Sequence, residues 1–511
     1  MNKQSLIKGS LILGIAGILA KVLGLFFRWP LIMLIGDEGI GFYQMSFPLY
    51  MFFVAIASGI PVAISKIVSE NNAVGDIEGS FRVVKESTYL MLILGAGTTC
   101  FLFFFAQPII NFLKWDPKAY YSLIGISFAP LIISIMTIFR GFFQGLQNMT
   151  PSGISQILEQ VGRVIFGIGL AVLLLPKGIE YAAGGAAFGA AAGGLLGGGY
   201  LYIKYRLTKK SFGIKKVKSD PALMNRILKI AIPISLGATV GTVMSLIDSV
   251  FIPRELLNAG FTTQQSTILY AQLAGKASVI VNIPMTLSMA LSISLIPIIA
   301  EKFILGKNRE VESKVNLSIK LSSVIGIPCM FGMFFLAEPI MRLIFPGRHE
   351  GFEILRYLSL TVPFIILTQT TTSILQGVGR YILPVINLFI GCAIKLFLTL
   401  TLVSMPEFNI YGAVIASVVA YLVTTILNII LLKMTLKTKI GVLGNIGKPI
   451  VCSTVMIVVV IFSYVNILRY TSSNGIACLV SVFLGIIIYM LAIIFMRVFS
   501  AQDVMNRISR K

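Results

Sequence analysis

Two cations stand inside the first apolar run of the chain. In "LAKVLGLFFRWP", Leu19 to Pro30, Lys21 and Arg28 interrupt a hydrophobic stretch running from about Leu6 to Gly36. A charge at the centre of a bilayer costs at least ~2.5–3.5 kcal/mol on insertion scales. A helix face carries residues i, i+3, i+4 and i+7 together, and here that face reads Gly14, Gly17, Lys21, Gly24, Arg28. Glycines permit close approach, and cations on the same stripe suit a helix that lines a wet cavity. The same pattern recurs along the chain. Arg140, Gln144 and Gln147 share a face, as do Gln156, Glu159, Arg163 and Gly167. Glu159 and Arg163 stand at i, i+4 and can pair. Asp248 follows Gly237, Gly241 and Ser245, Lys276 follows Gln272, and Lys395 follows Asn387 and Gly391. Lys320 and Lys395 also suit snorkelling to an interface. With Lys320 left aside, six intramembrane cations face two acids. Such a cavity attracts an anion, and Arg forks and Lys point charges both suit phosphate.

The elements that must hold these residues are membrane helices. Of 511 residues, 56% are hydrophobic and 12% charged, with a mean hydropathy of +0.91. No soluble globular chain of this length has that composition. A span takes about 20 apolar residues. Fourteen such runs are readable, centred near residues 20, 54, 95, 131, 165, 192, 239, 285, 326, 365, 393, 421, 458 and 486. Their continuous apolar character excludes a strand barrel. The fold class is therefore an all-α integral membrane protein. The first run reads as an uncleaved helix rather than a signal peptide. The five cysteines lie in apolar spans without C-x-x-C spacing, which supports neither disulfides nor a metal site. No cofactor is called for.

Net charge is +22. From a cytoplasmic N-terminus, cytoplasmic segments hold 27 Lys and Arg, external segments 8, and spans 7. That bias places both termini in the cytoplasm of a multi-pass cell-membrane protein. Topology and contact with anionic membrane lipids account for the basic excess, so nucleic acid is not expected as a partner.

A weak repeat divides the chain. Glu70 and Gly75 fall on Glu301 and Gly306 at an offset of 231, and Gln144-Gly145 on Gln376-Gly377 at 232. Two six-helix lobes follow, over 1–205 and 225–435, joined by a basic cytoplasmic linker at 206–224. An even number of spans per lobe sets their pseudo-twofold axis along the membrane normal. Residues 436–511 add two helices and a tail. Prolines 48, 61, 233, 284 and 297 lie in or beside spans one, two, seven and eight, which are expected to bend and line the cavity.

Four stretches, "SLILGIAGILAKVLGLFFR", "GIGFYQMSFPLYMFFVAIASGIPVAISKIVSE", "FRGFFQGLQNMTPSGISQILEQVGR" and "YAQLAGKASVIVNIPMTLSMALSISLIPIIAE", resemble the polysaccharide-transporter branch of the multidrug/oligosaccharidyl-lipid/polysaccharide exporter superfamily. Within it the chain is similar to the stage V sporulation protein B family, relatives of the lipid II flippases. The resemblance implies a two-lobed, fourteen-helix flippase for an undecaprenyl-pyrophosphate-linked saccharide, a peptidoglycan precursor used in cell wall or spore cortex. It would work by alternating access, without enzymatic activity. It also implies a role for essential cations of helices one, two and eight. Lys21 and Lys276 match two of these positions and Arg28 stands beside a third, while Phe52–Phe53 stand where the helix-two arginine would be. Arg140, Arg163 and Glu159 complete the expected substrate-binding set. Asp248 and Asn387 match polar positions of helices seven and eleven that bind sodium in some relatives, although Gly391 replaces a second carboxylate. Coupling to sodium or to membrane potential, and a cell-wall polymerase as partner, are the further implications.

Three other readings meet specific obstacles. A drug/cation antiporter of the same fold needs a cavity rich in carboxylates. A membrane glycosyltransferase needs paired acids at the outer face, and no Asp-x-Asp is present. His349, the single histidine, reads as a surface residue. A non-transporting sporulation scaffold has no use for buried cations.

Overall fold

The computed structural model describes residues 6–214, 220–286, 299–436 and 441–499. Every element among them is helical. In chain order the α-helices are α1 (Leu6–Ala57), α2 (Gly59–Ala73), α3 (Ile77–Phe104), α4 (Ala106–Leu113), α5 (Ala119–Ser127), α6 (Ala129–Gly145), α7 (Thr150–Leu174), α8 (Ile179–Ser211), α9 (Pro221–Asn258), α10 (Thr263–Tyr270) and α11 (Ser278–Val281). They continue with α12 (Asn308–Phe335), α13 (Ala337–Ile344), α14 (Phe352–Leu358), α15 (Val362–Gly377), α16 (Ile382–Leu402), α17 (Asn409–Leu436), α18 (Val442–Thr471) and α19 (Asn474–Phe495). A π-helix, Ala271–Ala277, joins α10 to α11.

Thirteen segments among the described residues are long and apolar enough to cross a membrane, so this is a multi-pass membrane protein. The first of them, Ile12–Ala73, holds two of the fourteen expected spans. They are separated at Gly36, whose φ of 68° and ψ of −172° break α1 into two helices. Only glycine takes such a conformation without strain. The consequence is large. Phe27 and Tyr43 are sixteen residues apart, which a straight helix would stretch to about 24 Å. Their ring centroids lie 6.0 Å apart, so the helix folds back on itself at Gly36.

Two compact units divide between Ala271 and Gln272. In the first, α7 and α8 pack along glycine-lined faces. A methyl group built on Gly193 would stand 2.2 Å from the carbonyl oxygen of Glu159, and one on Gly189 2.6 Å from the Cα of Gly167. Helices that close have no room for side chains between them, the usual means of helix association in a membrane. α9 also packs on α1 and α2 within this unit. The basic segment 206–224 is helical at its two ends: α8 runs through Ser211 and α9 begins at Pro221, capped by the Asp220 side chain, while 215–219 lie outside the described residues. In the second unit α12 packs on α15 and α18, α16 on α17, and α18 on α19.

The repeat seen in the sequence has a structural counterpart in its turns. Gly75 has φ 80°, Asp76 N donates to Asn71 O, and Ile77 N donates to Gly75 O. At an offset of 231, Gly306 has φ 68°, Lys307 N donates to Lys302 O, and Asn308 N to Gly306 O. After α6, Gln147 N donates to Gln144 O and Asn148 N to Phe143 O; at an offset of 232, Gly379 N donates to Gln376 O and Arg380 N to Leu375 O. Gln147 therefore lies in a turn past the end of α6. It does not share a helix face with Arg140, because the left-handed turn redirects the chain.

Breaks occur in the proline-containing spans. α1 and α2 are interrupted at Ser58, and the span of Lys276 contains the π-helix and a turn at Asn282. Pro233 lies inside an uninterrupted α9. Pro297 lies outside the described residues.

Candidate anion-binding site

In the first unit, the fold-back at Gly36 builds a cage. Phe27 comes from one side of the kink, Tyr43 and Phe47 from the other, and Arg163 of α7 enters between them. Its guanidinium lies 5.2 Å from the Phe27 ring centroid and 4.9 Å from that of Phe47. Arg163 Nη2 donates to the Tyr43 hydroxyl. Aromatic faces attract a guanidinium by about 0.5–2 kcal/mol each, which holds the group in the cage. The Arg163 Nε is buried with no hydrogen-bond partner among the described residues.

Arg28 follows Phe27 directly. It lies within electrostatic range of Arg163, Tyr43 and Tyr270, and among the described residues no carboxylate pairs with it. Two guanidinium groups in mutual range repel each other, which an anion between or beside them would relieve. Lys21, about two turns earlier, is exposed. A methyl group built on Gly14 or Gly17 would meet nothing within 4 Å, and one on Gly24 only the Gln160 side chain at 3.8 Å. The glycine stripe of α1 thus borders open space.

Glu159 does not pair with Arg163. Its Oε2 accepts from Arg140 Nη2 of α6 at 2.8 Å, and Arg140 Nε donates to Ser155 Oγ at 2.8 Å. The reason is positional: Arg140 faces α7 across the helix packing, while aromatic rings of α1 hold Arg163. Asp248 on α9 is half-buried and within electrostatic range of Tyr270.

In the second unit, Lys276 lies in the last turn of the π-helix with its side chain 1% exposed. Its Nζ donates to the carbonyl oxygens of Arg348 (2.8 Å) and Glu350 (3.4 Å) and lies 3.8 Å from Glu350 Oε2. π-helical turns frequently mark functional positions. Asn387 of α16 donates to Asn428 Oδ1 of α17 at 2.9 Å. The Asn428 amide in turn donates to Thr371 at 3.2 Å and Thr372 at 3.0 Å of α15. Lys395 is 3% exposed and does not snorkel. Among the described residues no three His, Cys, Asp or Glu side chains gather as metal ligands. All five cysteines are free, three of them buried and Cys100 exposed.

The aromatic cage, the loop carbonyls on Lys276 and the Asn428 network were not singled out from the sequence. Tyr43 and Phe47 carried a signal, since both lie four residues apart on one face, but their pairing with Arg163 depends on the Gly36 fold-back.

This architecture is that of the two-lobed exporter superfamily of membrane transporters. The chain belongs to the polysaccharide biosynthesis protein family, whose model matches residues 6–303; the MatE model matches residues 272–401. The chain is 29% identical over 437 residues to stage V sporulation protein B of Bacillus subtilis, covering 84% of this chain and 83% of that protein. It is 27% identical over 454 residues to lipid II flippase MurJ of Bacillus subtilis, again covering 84% and 83%. A solved structure of lipid II flippase MurJ in an inward closed conformation has a TM-score of 0.74 at 18% identity, covering 95% of this chain and 99% of that one.

Proposed function

We propose that the chain is a flippase for an undecaprenyl-pyrophosphate-linked saccharide, moving a peptidoglycan precursor from the inner to the outer leaflet. The observation that carries this reading is Arg28. It is a cation on a membrane helix, within electrostatic range of a second guanidinium and among the described residues without a carboxylate partner. An anionic head group supplies the missing charge. The family and the two relatives support a lipid-linked saccharide as cargo. Lys21 would meet the pyrophosphate earlier or later in the crossing than Arg28, since seven residues of helix rise about 10.5 Å. Lys276 would engage it from the second repeat. Arg163, caged by aromatic rings, keeps an Nε without a partner among the described residues, which we assign to the same anion, and the Arg140–Glu159 pair ties α6 to α7. Asp248 and Asn387 are the positions proposed for a coupling cation.

The finer elements of the reading are two six-span repeats at 1–205 and 225–435, cytoplasmic termini, use in spore cortex and work beside a polymerase. Expression in a bacterium depleted of its own lipid II flippase tests the function. Growth should be restored by the wild-type chain and lost with Arg28→Ala at equal membrane abundance. Equal growth with and without the wild-type chain argues against this cargo.

A further inference from the structure

Lys276 already has company. Its ammonium is enclosed by the turn that follows α13: two carbonyls at 2.8 and 3.4 Å, the Glu350 carboxylate at 3.8 Å, and the Phe345 ring at 5.8 Å. The turn itself is hinged by two left-handed glycines, Gly347 at φ 73° and Gly351 at φ 87°. Gly351 sits against Gln272, where a methyl group would come within 2.8 Å of the Gln272 Cβ. With the Lys276 side chain 1% exposed, an incoming phosphate oxygen reaches it only when this turn lifts. The Glu350 side chain is 60% exposed, so it swings into water at little cost.

We infer that Glu350 is a specificity-determining residue, an internal competitor that makes Lys276 respond only to head groups carrying more than one negative charge. This rests on the reading above, in which Lys276 meets the lipid's pyrophosphate. A head group with a single charge exchanges one anion for another and also breaks two carbonyl contacts. A pyrophosphate brings at least two charges to the same ammonium and covers that loss. Glu350 thereby disfavours the singly charged phosphodiester head groups of bulk anionic lipid such as phosphatidylglycerol, whereas a phosphate monoester, at about −1.5 to −2 near pH 7, falls with the pyrophosphate.

The test uses the full chain in nanodiscs of zwitterionic lipid with two probes, polyprenyl pyrophosphate and the singly charged phosphodiester phosphatidylglycerol. Affinities are measured for wild type, Glu350→Gln, Lys276→Gln and the double variant, with Lys276→Arg as the charge-retaining control. Wild type should prefer the pyrophosphate. Glu350→Gln should bind phosphatidylglycerol about fivefold tighter and narrow the preference, the scale of a partly exposed ion pair. On the Lys276→Gln background the Glu350 substitution should change neither affinity, while Lys276→Arg keeps the preference. Amide exchange over 345–351 should accelerate when the pyrophosphate binds wild type. A wild type that prefers the pyrophosphate while Glu350→Gln leaves that preference unchanged overturns the role of Glu350 and spares the flippase reading. A wild type that binds neither lipid overturns both.

Discussion

Arg140 and Glu159 form a 2.8 Å ion pair between α6 and α7, with 14% and 18% of their side chains exposed. Ser155 accepts from the same guanidinium. Removing one partner of a buried pair leaves a charge uncompensated, at a cost of about 3–5 kcal/mol, reduced here by partial exposure. Glu159→Gln is expected to lower thermal stability in detergent by about 2 kcal/mol. The double variant Arg140→Met, Glu159→Leu should recover most of that loss. A double variant no more stable than Glu159→Gln would show that the site needs the charges themselves.

Gln147 offers a stabilising substitution. It has φ 56°, whereas its counterpart in the second repeat turn is Gly379 at φ 83°. A side chain in the left-handed region costs roughly 1–2 kcal/mol. Gln147→Gly should therefore raise the unfolding midpoint, and Gly379→Gln should lower it. Opposite signs in one thermal-shift series are the expected outcome.

The α7–α8 contact is sensitive to volume. With a methyl on Gly193 already 2.2 Å from the Glu159 carbonyl, Gly193→Leu forces the two helices apart. Because the shift moves Glu159 and Arg163 together, transport should fall by more than tenfold, with a stability loss of at least ~1–3 kcal/mol. Gly199, where a methyl meets nothing within 4 Å, is the control: Gly199→Ala should leave both properties near wild type.

The positive-inside bias predicts the orientation. In a background without native cysteines, Ser211→Cys at the end of α8 should react only with reagents that enter the cytoplasm. His349→Cys should react from outside. Labelling of both from the same side would refute cytoplasmic termini.

The helical class, the multi-pass character and the repeat were legible because hydropathy and turn residues are local signals. Gly75 and Gly306 mark the same turn in sequence and in structure. The boundary at Gly36 was legible, because Asp37 and Glu38 follow it and close the first apolar run. The positive φ that folds α1 back on itself there was not. Side-chain partners were less legible still. The i, i+4 spacing offered Glu159 to Arg163, but the closer guanidinium belongs to Arg140, nineteen residues earlier on another helix. Lys276 and Lys395 were visible as intramembrane cations. That one meets loop carbonyls from seventy residues away, and that the other is buried rather than snorkelling, depends on packing that no local pattern records.

The most direct measurement reconstitutes the purified chain into vesicles bearing a fluorescent pyrophosphate-linked saccharide and follows its transfer between leaflets. Wild type should accelerate transfer over empty vesicles. Arg28→Ala should reduce that acceleration at least tenfold, the scale of a lost charge contact of about 2 kcal/mol in a wet cavity, and Arg28→Lys should retain part of it. Transfer by Arg28→Ala at the wild-type rate would contradict the account.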